Sequence, residues 1–265
     1  PKEKLEIITI NDSSTDNSIA EIKSFQNAML PATLKIIELQ DVSHTNYGKK
    51  SAVNYGIQIA KSEIIVSTDA DCIVYPNWIN SLLAYLPPQT MLVCGPVRYN
   101  DNNSTWSKLL QLEFFSLIFS GAASIGIKKP SFCNAANMMF RKNIYLEVFD
   151  KYGKNYSSGD DVFLLQSISA TYGAKHITFA HTKSAIVDTL PPNNIKSFVL
   201  QRLRWASKAV GYKSAFAIFQ GLLVYIYSLS IIGLSILSVF SKQYILLAIL
   251  LISGKLILDL LFFKF

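Results

Sequence analysis

Charged side chains are scarce in this sequence. Only 16% of its 265 residues are Asp, Glu, Lys or Arg, against about 25% in ordinary soluble domains, and the mean hydropathy is +0.28. This composition excludes an intrinsically disordered chain, because disorder requires low hydrophobicity and a high density of charge. The absence of a short repeat excludes collagen and coiled coil. A wholly soluble protein is also not expected.

Cysteine and histidine are few as well. The three cysteines, Cys72, Cys94 and Cys133, are odd in number and widely spaced, and no CxxC motif occurs. A disulfide framework or a zinc site is therefore not expected, and a reducing compartment suits the chain. The three histidines lack metal-ligand spacing, so we expect them to have ordinary surface or core roles.

Charge is missing most completely from the C-terminal part. Residues 214–265 contain only these charged side chains: Lys242, Lys255, Asp259 and Lys264. Residues 1–213 carry 22 basic and 17 acidic side chains, a net charge of +5. We therefore expect a globular domain over 1–213 and a membrane part over 214–265. The mildly basic surface suits an anionic membrane face or a phosphorylated substrate, but it is too weak to indicate a nucleic-acid partner.

Two C-terminal runs are predicted to be transmembrane helices. Residues 215–240 carry no charge and exceed the roughly 20 residues that cross the hydrocarbon core, although a buried core helix is the alternative. Residues 244–263 form the second run, in which Lys255 and Asp259 are spaced to satisfy each other. Four basic residues precede the first run: Arg202, Arg204, Lys208 and Lys213. By the positive-inside rule, they place the preceding domain in the cytosol.

A third apolar run covers residues 109–127 and has lysines on both sides. It could form a membrane-surface helix, a buried helix or a short span. Glu113 and the small residues 121–124 favour a surface or buried helix over a span.

Strand-like and helical runs alternate in the first hundred residues. The strand-like runs are 5–10, 34–39, 63–67 and 91–97, and the helical runs are 18–29, 51–60 and 78–86. This alternation predicts an α/β layered fold with a mostly parallel sheet. In such sheets ligands bind beyond the carboxyl ends of the strands. Two clusters that contain Asp, residues 11–16 and 68–71, follow the first and third strands at that edge.

The carboxylates of these clusters are candidate ligand contacts. Asp69 and Asp71 could bind a hard divalent cation that in turn binds a diphosphate, and a solvated turn is the alternative. The segment NDSSTD, residues 11–16, suits a nucleotide loop. Its alternative is a helix N-cap formed by Ser14 or Thr15, and both interpretations can hold together.

Two further motifs lie later in the chain. Asp160 and Asp161 precede an apolar helix. Because adjacent carboxylates repel each other, one of them can have a raised pKa and act as a base, while a helix N-terminus with favourable acids is the alternative. The segment QRLRW, residues 201–205, lies just before the first membrane run. Its alternative is a membrane-interface anchor, with Trp205 at the headgroups and the arginines on lipid phosphates.

The order and spacing of these motifs resemble the membrane-associated family 2 glycosyltransferases, the group that includes cellulose, hyaluronan and ceramide glycosyl synthases. NDSSTD resembles the family's DDGSTD loop, and GKKSAVNYGI, residues 48–57, resembles its Lys-Ala-Asn-Gly segment. TDAD resembles the metal-binding DxD, and CNAANMMFRK, residues 133–142, resembles the acceptor-side segment. GDD resembles the ED base motif and QRLRW the QxxRW motif. The resemblance covers about residues 5–210.

This resemblance implies a nucleotide-binding GT-A fold followed by transmembrane helices. It also implies a nucleotide-sugar donor, a lipid or growing glycan as acceptor, Mg²⁺ or Mn²⁺, and inversion at the anomeric carbon by direct displacement. The implied donor contacts are Asp12, Lys50, Asp69 and Arg204, and the implied metal ligands are Asp69 and Asp71. The implied base is Asp161, with Asp160 beside it. The implied acceptor or gating residues are Gln201, Trp205 and Asn137.

The sequence departs from the family pattern at several positions: Asn11, Ser13, Ala135 and Asp160 replace the family's Asp, Gly, Gly and Glu. Family members also have a strand and a nucleotide loop before the equivalent of residue 5, so we expect that N-terminal strand to be missing here. We expect a multi-pass transferase of the cell membrane with its catalytic domain facing the cytosol. A catalytically inactive nucleotide-binding or scaffold protein that keeps the fold is the alternative, and a channel or transporter subunit is less favoured.

Overall fold

A computed structural model of the chain describes residues 5–26, 33–39, 48–100, 104–152 and 160–262. The strands are β1 (Glu6–Asn11), β2 (Thr33–Glu38), β3 (Ile64–Ser67), β4 (Leu92–Cys94), β5 (Val97–Tyr99), β6 (Met138–Arg141), β7 (Ile177–Phe179) and β8 (Val187–Thr189). The α-helices are α1 (Ser18–Gln26), α2 (Lys49–Ile59), α3 (Trp78–Leu83), α4 (Thr105–Gly126), α5 (Lys142–Tyr152), α6 (Asp160–Tyr172), α7 (Ile195–Ala206), α8 (Ala215–Phe240) and α9 (Gln243–Phe262). The predicted end of the first helix, beyond residue 26, lies outside the described residues.

The central sheet agrees with the prediction of a mostly parallel sheet in three of its four strands: β3, β4 and β7 run in the same direction, and β6 runs against them. Its strand order is β3-β6-β4-β7. Strand β6 is antiparallel to both β3 and β4, whereas β4 and β7 are parallel. Strands β1 and β2 form a parallel pair, and β5 and β8 form another. The prediction missed β6 because its four residues lie inside the segment that resembles the acceptor-side motif, so they were not assigned to a strand.

The predicted fourth strand, 91–97, is divided in two. Strand β4 is fully buried, with Leu92, Val93 and Cys94 at most 1% exposed, which fits a short apolar strand covered on both faces. Pro96 follows it, and a proline has no N–H for the ladder. The chain leaves the central sheet at this point and pairs again as β5, beside β8.

Helix α4 packs one face against the domain. The side chain of Ser104 accepts a hydrogen bond from the Ser107 N–H and caps its N-terminus. Its buried residues recur every three or four positions, as expected for one helix face: Leu110, Phe114, Ile118, Gly121 and Ile125. A Cβ atom on Gly121 would lie 2.7 Å from the carbonyl oxygen of Phe132, so only glycine permits this close approach. This packing agrees with the prediction that residues 109–127 form a surface or buried helix.

Helices α8 and α9 form an antiparallel pair at the C-terminus, in which the Tyr227 hydroxyl donates a hydrogen bond to the carbonyl oxygen of Leu251. Gln220 of α8 donates to Ser120 of α4, which joins the pair to the domain. By length and composition, α4 and α8 are apolar enough to cross a membrane, and Gln243–Leu258 is a shorter apolar helix. The side chain of Asp259, the predicted partner of Lys255, lies outside the described residues.

Candidate active site

The loop after β1 is fixed by its own polar side chains. The side chain of Asn11, the last residue of β1, is buried and accepts the backbone N–H three residues further on. Asp16 Oδ1 accepts the N–H of Ser18, the first residue of α1, at 3.1 Å. The side chain of Asp12 reaches the residue before α2, where its Oδ2 accepts the Gly48 N–H at 2.9 Å. The side chain that caps the start of α1 is thus that of Asp16, which corrects the prediction of Ser14 or Thr15 as the cap. The same loop holds the Asp12 carboxylate near the start of α2.

Asp69 and Asp71 lie in the turn that follows β3. The ammonium group of Lys49 lies 2.6 Å from Asp69 Oδ1, and both side chains are partly exposed. Asp71 Oδ1 accepts a long hydrogen bond, 3.7 Å, from the thiol of Cys72. Two accessible carboxylates are suitable oxygen ligands for Mg²⁺ or Mn²⁺. Within the described ranges no cluster of three or more His, Cys, Asp or Glu side chains could hold a metal, so other oxygen ligands would have to complete the coordination shell.

Lys50 takes a different position from Lys49. It is 8% exposed, and its ammonium group lies 5.5 Å from the centroid of the Phe149 ring. It lines a small cavity of about 20 Å³ with apolar residues of α5 and α6. The structure therefore brings Lys49, and not the predicted donor contact Lys50, against Asp69.

Asp161 lies in the first turn of α6 with its carboxylate fixed by backbone groups. Its Oδ1 accepts the N–H of Val162 at 2.8 Å, and its Oδ2 accepts the N–H of Ala135 at 3.2 Å. The carbonyl oxygen of Ala135 accepts the hydroxyl of Ser67, the last residue of β3, at 2.9 Å. Ala135 thus connects Asp161 to the strand that precedes Asp69. The side chain of Asp160 lies outside the described residues.

A tyrosine approaches Asp161 from the segment before α8. Burial, and secondarily the nearby charge of Asp161 and the thiol of Cys133, raise the pKa of Tyr212 to about 12. The phenol therefore remains neutral at physiological pH. The Phe163 ring packs edge-on against the Tyr212 ring at a centroid distance of 6.2 Å.

Asn137 differs from its predicted acceptor role. Its side chain is 0% exposed. Its Nδ2 donates to the carbonyl oxygens of Pro96 at 2.8 Å and Ala185 at 2.7 Å, and its Oδ1 accepts the indole N–H of Trp78 at 3.0 Å. Because both ends of the amide are used inside the protein, Asn137 ties β6 to three neighbouring segments. The sequence motif did not reveal this burial.

The QRLRW segment lies in α7, which begins with a capping box formed by Asn194 and Ser197. Gln201 Oε1 accepts the hydroxyl of Tyr99, on β5, at 3.1 Å. Arg204 is exposed. Trp205 is half-buried and packs near the Phe114 ring of α4. The structure therefore attaches Gln201 and Trp205 to the β5–α4 face and leaves Arg204 open to solvent.

Arg202 anchors this helix, a role that the sequence analysis missed. Its guanidinium donates to both carboxylate oxygens of Glu113 on α4. It lies over the rings of Phe198 and Trp205, at 4.6 and 4.3 Å from their centroids. A lone Glu in the apolar run 109–127 was the available signal, because a buried-face helix rarely carries a carboxylate without a cationic partner.

A second missed carboxylate, Asp188, lies on β8 and is 2% exposed. Its partners are Arg98 on β5 and Tyr75, which follows the Asp69–Asp71 turn. The signal in the sequence is a single charged residue within each of two short apolar strands, VRY and VDT.

The sequence model of the family described as "Glycosyl transferase family 2" matches residues 1–149. Among curated proteins, an N-acetylglucosaminyltransferase of Mesorhizobium japonicum is 24% identical over 72% of this chain and 46% of its own length. A poly-beta-1,6-N-acetyl-D-glucosamine synthase of Staphylococcus aureus is 26% identical over 77% of this chain and 47% of its own length. The chain thus spans about half the length of these relatives.

Among solved structures, the chain is similar to a mannosyltransferase from Pyrobaculum calidifontis in complex with GDP-Man and Mn2+. The two share 17% sequence identity with a TM-score of 0.55, over 76% of this chain and 52% of that one. This likeness shows a GT-A-like α/β fold. Because the family's sequence model covers more than half of the residues, the chain belongs to glycosyl transferase family 2.

Proposed function

We propose that this chain is the catalytic part of a membrane-anchored inverting glycosyltransferase, which moves a sugar from a nucleotide-sugar donor to a lipid or growing glycan. The observation that carries the proposal is a series of contacts along one edge of the fold. It runs from Asp12 through residues 48 and 49 to Asp69, and from β3 through Ala135 to Asp161. These contacts link Asp12, Asp69 and Asp161, one residue each from the predicted donor, metal and base sets, and they support a shared site for the three.

The donor is assigned to the β1 and β3 side of this edge. Asp12 would contact the base or ribose, and Asp69 and Asp71 would hold Mg²⁺ or Mn²⁺, which neutralises charge on the diphosphate when bound. Lys49 lies next to Asp69, so its ammonium group would also bind the diphosphate. Arg204, which is exposed, would pair with the leaving diphosphate. A cationic group beside the leaving diphosphate stabilises the negative charge that develops on it as its bond to the sugar breaks.

Asp161 is assigned as the base. Its two backbone N–H contacts fix the direction of the carboxylate. An acceptor hydroxyl is a weak acid, so a carboxylate that takes its proton as the oxygen attacks makes the displacement faster. The new bond forms at the anomeric carbon while the bond to the diphosphate breaks on the opposite side, and the configuration inverts. Asp160 has a supporting role by its position in the motif.

The acceptor is assigned to the α7 side, where Gln201 and Trp205 would close over it. Arg202 orients this part of α7 through Glu113. For Asn137 we propose a structural role, because its amide is enclosed. The first donor to test is a nucleotide-activated N-acetylglucosamine, since the two curated relatives are named for that sugar.

We propose that residues 1–213 form the catalytic domain and residues 214–265 the membrane part. Helix α8 exposes apolar residues on all sides, including five in succession from Leu222 to Ile226, as a lipid-embedded helix does. The domain would face the cytosol and Lys242 the opposite side. A membrane-impermeant thiol label tests this with Lys242→Cys, using wild-type chain for background labelling. Labelling of that cysteine only from the cytosolic side would contradict the topology.

Purified membranes that contain the chain test the central activity. They are supplied with a panel of nucleotide sugars, and both donor hydrolysis and sugar transfer are measured. The proposal expects turnover with one donor class, and its loss in excess EDTA with recovery on adding Mn²⁺ or Mg²⁺. Nucleotide binding without turnover for any donor would favour the inactive scaffold, and full activity in EDTA would contradict the metal assignment.

A further inference from the structure

Asp188 is a buried carboxylate between two parts of the fold that are distant in sequence. Arg98 donates to it through Nε at 2.8 Å and through Nη2 at 2.9 Å, which is a bidentate ion pair. The hydroxyl of Tyr75 donates to Asp188 Oδ2 at 2.5 Å. Side-chain exposure is 57% for Arg98 and 4% for Asp188. The carboxylate is therefore the enclosed member of the pair, and it depends on its two donors.

The backbone of Asp188 makes a second connection to the same segment. The N–H of Ile73 donates to the Asp188 carbonyl oxygen at 2.7 Å, and the N–H of Asp188 donates back to Ile73 at 3.0 Å. Ile73 and Tyr75 come two and four residues after Asp71. The side chain and the backbone of one residue thus hold the exit of the turn that carries Asp69 and Asp71.

The hydrogen bonds around Asp71 itself are local or long. The N–H of Cys72 donates to the carbonyl oxygen of Asp69 at 3.1 Å, which closes the turn locally. The hydrogen bond from Cys72 to Asp71 Oδ1 is long, at 3.7 Å. The direction of the Asp71 carboxylate is therefore set mainly by the backbone path between the end of β3 and Ile73.

The charge state of Asp188 suits this role. Burial opposes ionisation, but the hydrogen bonds from Arg98 and Tyr75 outweigh it and hold the pKa of Asp188 below its usual value. The carboxylate is ionised at neutral pH and keeps both donors in a fixed direction.

We propose that Asp188 is a positioning residue for metal and diphosphate binding: through Tyr75 and Ile73 it holds the turn in the geometry in which Asp69 and Asp71 face the same cation. This inference rests on the proposed function, because it assigns Asp188 to the metal half of that site. Asp188 acts through the turn and does not touch the donor. Loss of its charge should weaken the metal-dependent step selectively and leave the base chemistry at Asp161 intact.

The test uses Asp188→Asn and Tyr75→Phe in the full chain. Glu6→Gln is the matched control, because Glu6 also pairs with a cation, Lys35 at 2.6 Å, but lies at the start of β1. Mn²⁺ uptake is followed by electron paramagnetic resonance in the presence of UDP and, in parallel, GDP. The Mn²⁺ dependence of turnover and the thermal unfolding midpoint are measured on the same samples.

We expect Asp188→Asn to weaken Mn²⁺ uptake about tenfold, which matches the loss of a hydrogen bond to a charged group. The donor KM should rise in parallel, while kcat at saturating Mn²⁺ and donor stays within about twofold. Tyr75→Phe should shift both quantities in the same direction by a smaller factor, and Glu6→Gln should leave them unchanged. Tyr75→Phe keeps the test decisive if Asp188→Asn does not fold.

Wild-type Mn²⁺ affinity in both variants, with only a lower unfolding midpoint, would overturn the positioning role and leave the proposed function standing. Absence of both Mn²⁺ uptake and turnover in the wild-type chain would instead overturn the proposed function and this inference with it.

Discussion

Lys49 and Asp69 form an ion pair with 2.6 Å between Nζ and Oδ1, which joins the start of α2 to the turn after β3. Both side chains are partly exposed, so the pair adds about 1 kcal/mol or less to stability. We therefore expect Lys49→Met to leave the unfolding midpoint nearly unchanged and to raise the donor KM about tenfold, because a cation beside the diphosphate is lost.

Lys50→Met is the matched control for this prediction, since it removes the neighbouring ammonium group. Lys50 is buried beside Phe149, so its replacement should alter stability more than the donor KM. If the donor KM rises only in Lys50→Met, the family-based assignment of Lys50 is right and the role of Lys49 is not.

Asn137 should prove to be a stability residue. Replacement by Ala removes the hydrogen-bond partner of the Trp78 indole N–H and of the Ala185 carbonyl oxygen in a closed interior. The Pro96 carbonyl oxygen also loses Asn137 but keeps the N–H of Val187. We expect a loss of about 3 kcal/mol in the free energy of unfolding, measured as a lower thermal midpoint in detergent. Asn80→Ala, on the exposed side of α3, is the control and should change little. A large loss of transfer in Asn137→Ala at an unchanged midpoint would restore the acceptor role.

The Arg202–Glu113 pair should control the acceptor side of the site. Arg202→Lys cannot keep the bidentate contact or the planar stacking on Phe198 and Trp205. We expect it to lower turnover about tenfold at unchanged donor KM. Arg204→Lys is the comparison and should raise the donor KM instead. A double-mutant cycle with Glu113→Gln should give a coupling of about 1–3 kcal/mol, and strict additivity would show that the pair does not act as a unit.

Tyr212 should make the protein sensitive to alkali. Its folded pKa of about 12 lies above its ordinary value of 10.0, so the folded state keeps a proton that the unfolded chain releases. The associated stability is complete below pH 10 and is lost as the pH rises towards 12. We expect Tyr212→Phe to lose less stability over that range, measured as unfolding midpoint against pH. Tyr85→Phe is the control, and equal alkaline losses in wild type and Tyr212→Phe would refute the assignment.

The sequence was most informative where a motif follows a strand. The turns after β1 and β3 were placed correctly, because apolar runs that end in Asp, Ser and Thr define strand ends. The two C-terminal helices were also placed within a residue over the described range, since an uninterrupted apolar run has clear ends. Local patterns of this kind need no knowledge of the rest of the fold.

Features that depend on distant contacts were not predictable from local pattern. Strand β6 pairs with β3 and β4, which lie at least 44 residues away in the register of those pairs, so its place in the sheet depends on residues outside its own segment. The burial of Asn137 and the choice of Lys49 over Lys50 depend on which neighbours the fold supplies. The ion pairs Arg98–Asp188 and Arg202–Glu113 join residues 90 and 89 positions apart.

The most direct test of the account is the turnover of Asp161→Asn in purified membranes, measured with nucleotide-sugar affinity and with Asp160→Asn alongside. The variant keeps the shape of the side chain but cannot take the acceptor proton. We predict a loss of about 10² to 10⁴ in turnover, with donor affinity preserved and a milder effect for Asp160→Asn. Sugar transfer by Asp161→Asn at a rate close to wild type would contradict the assigned base and make Asp160 the next candidate.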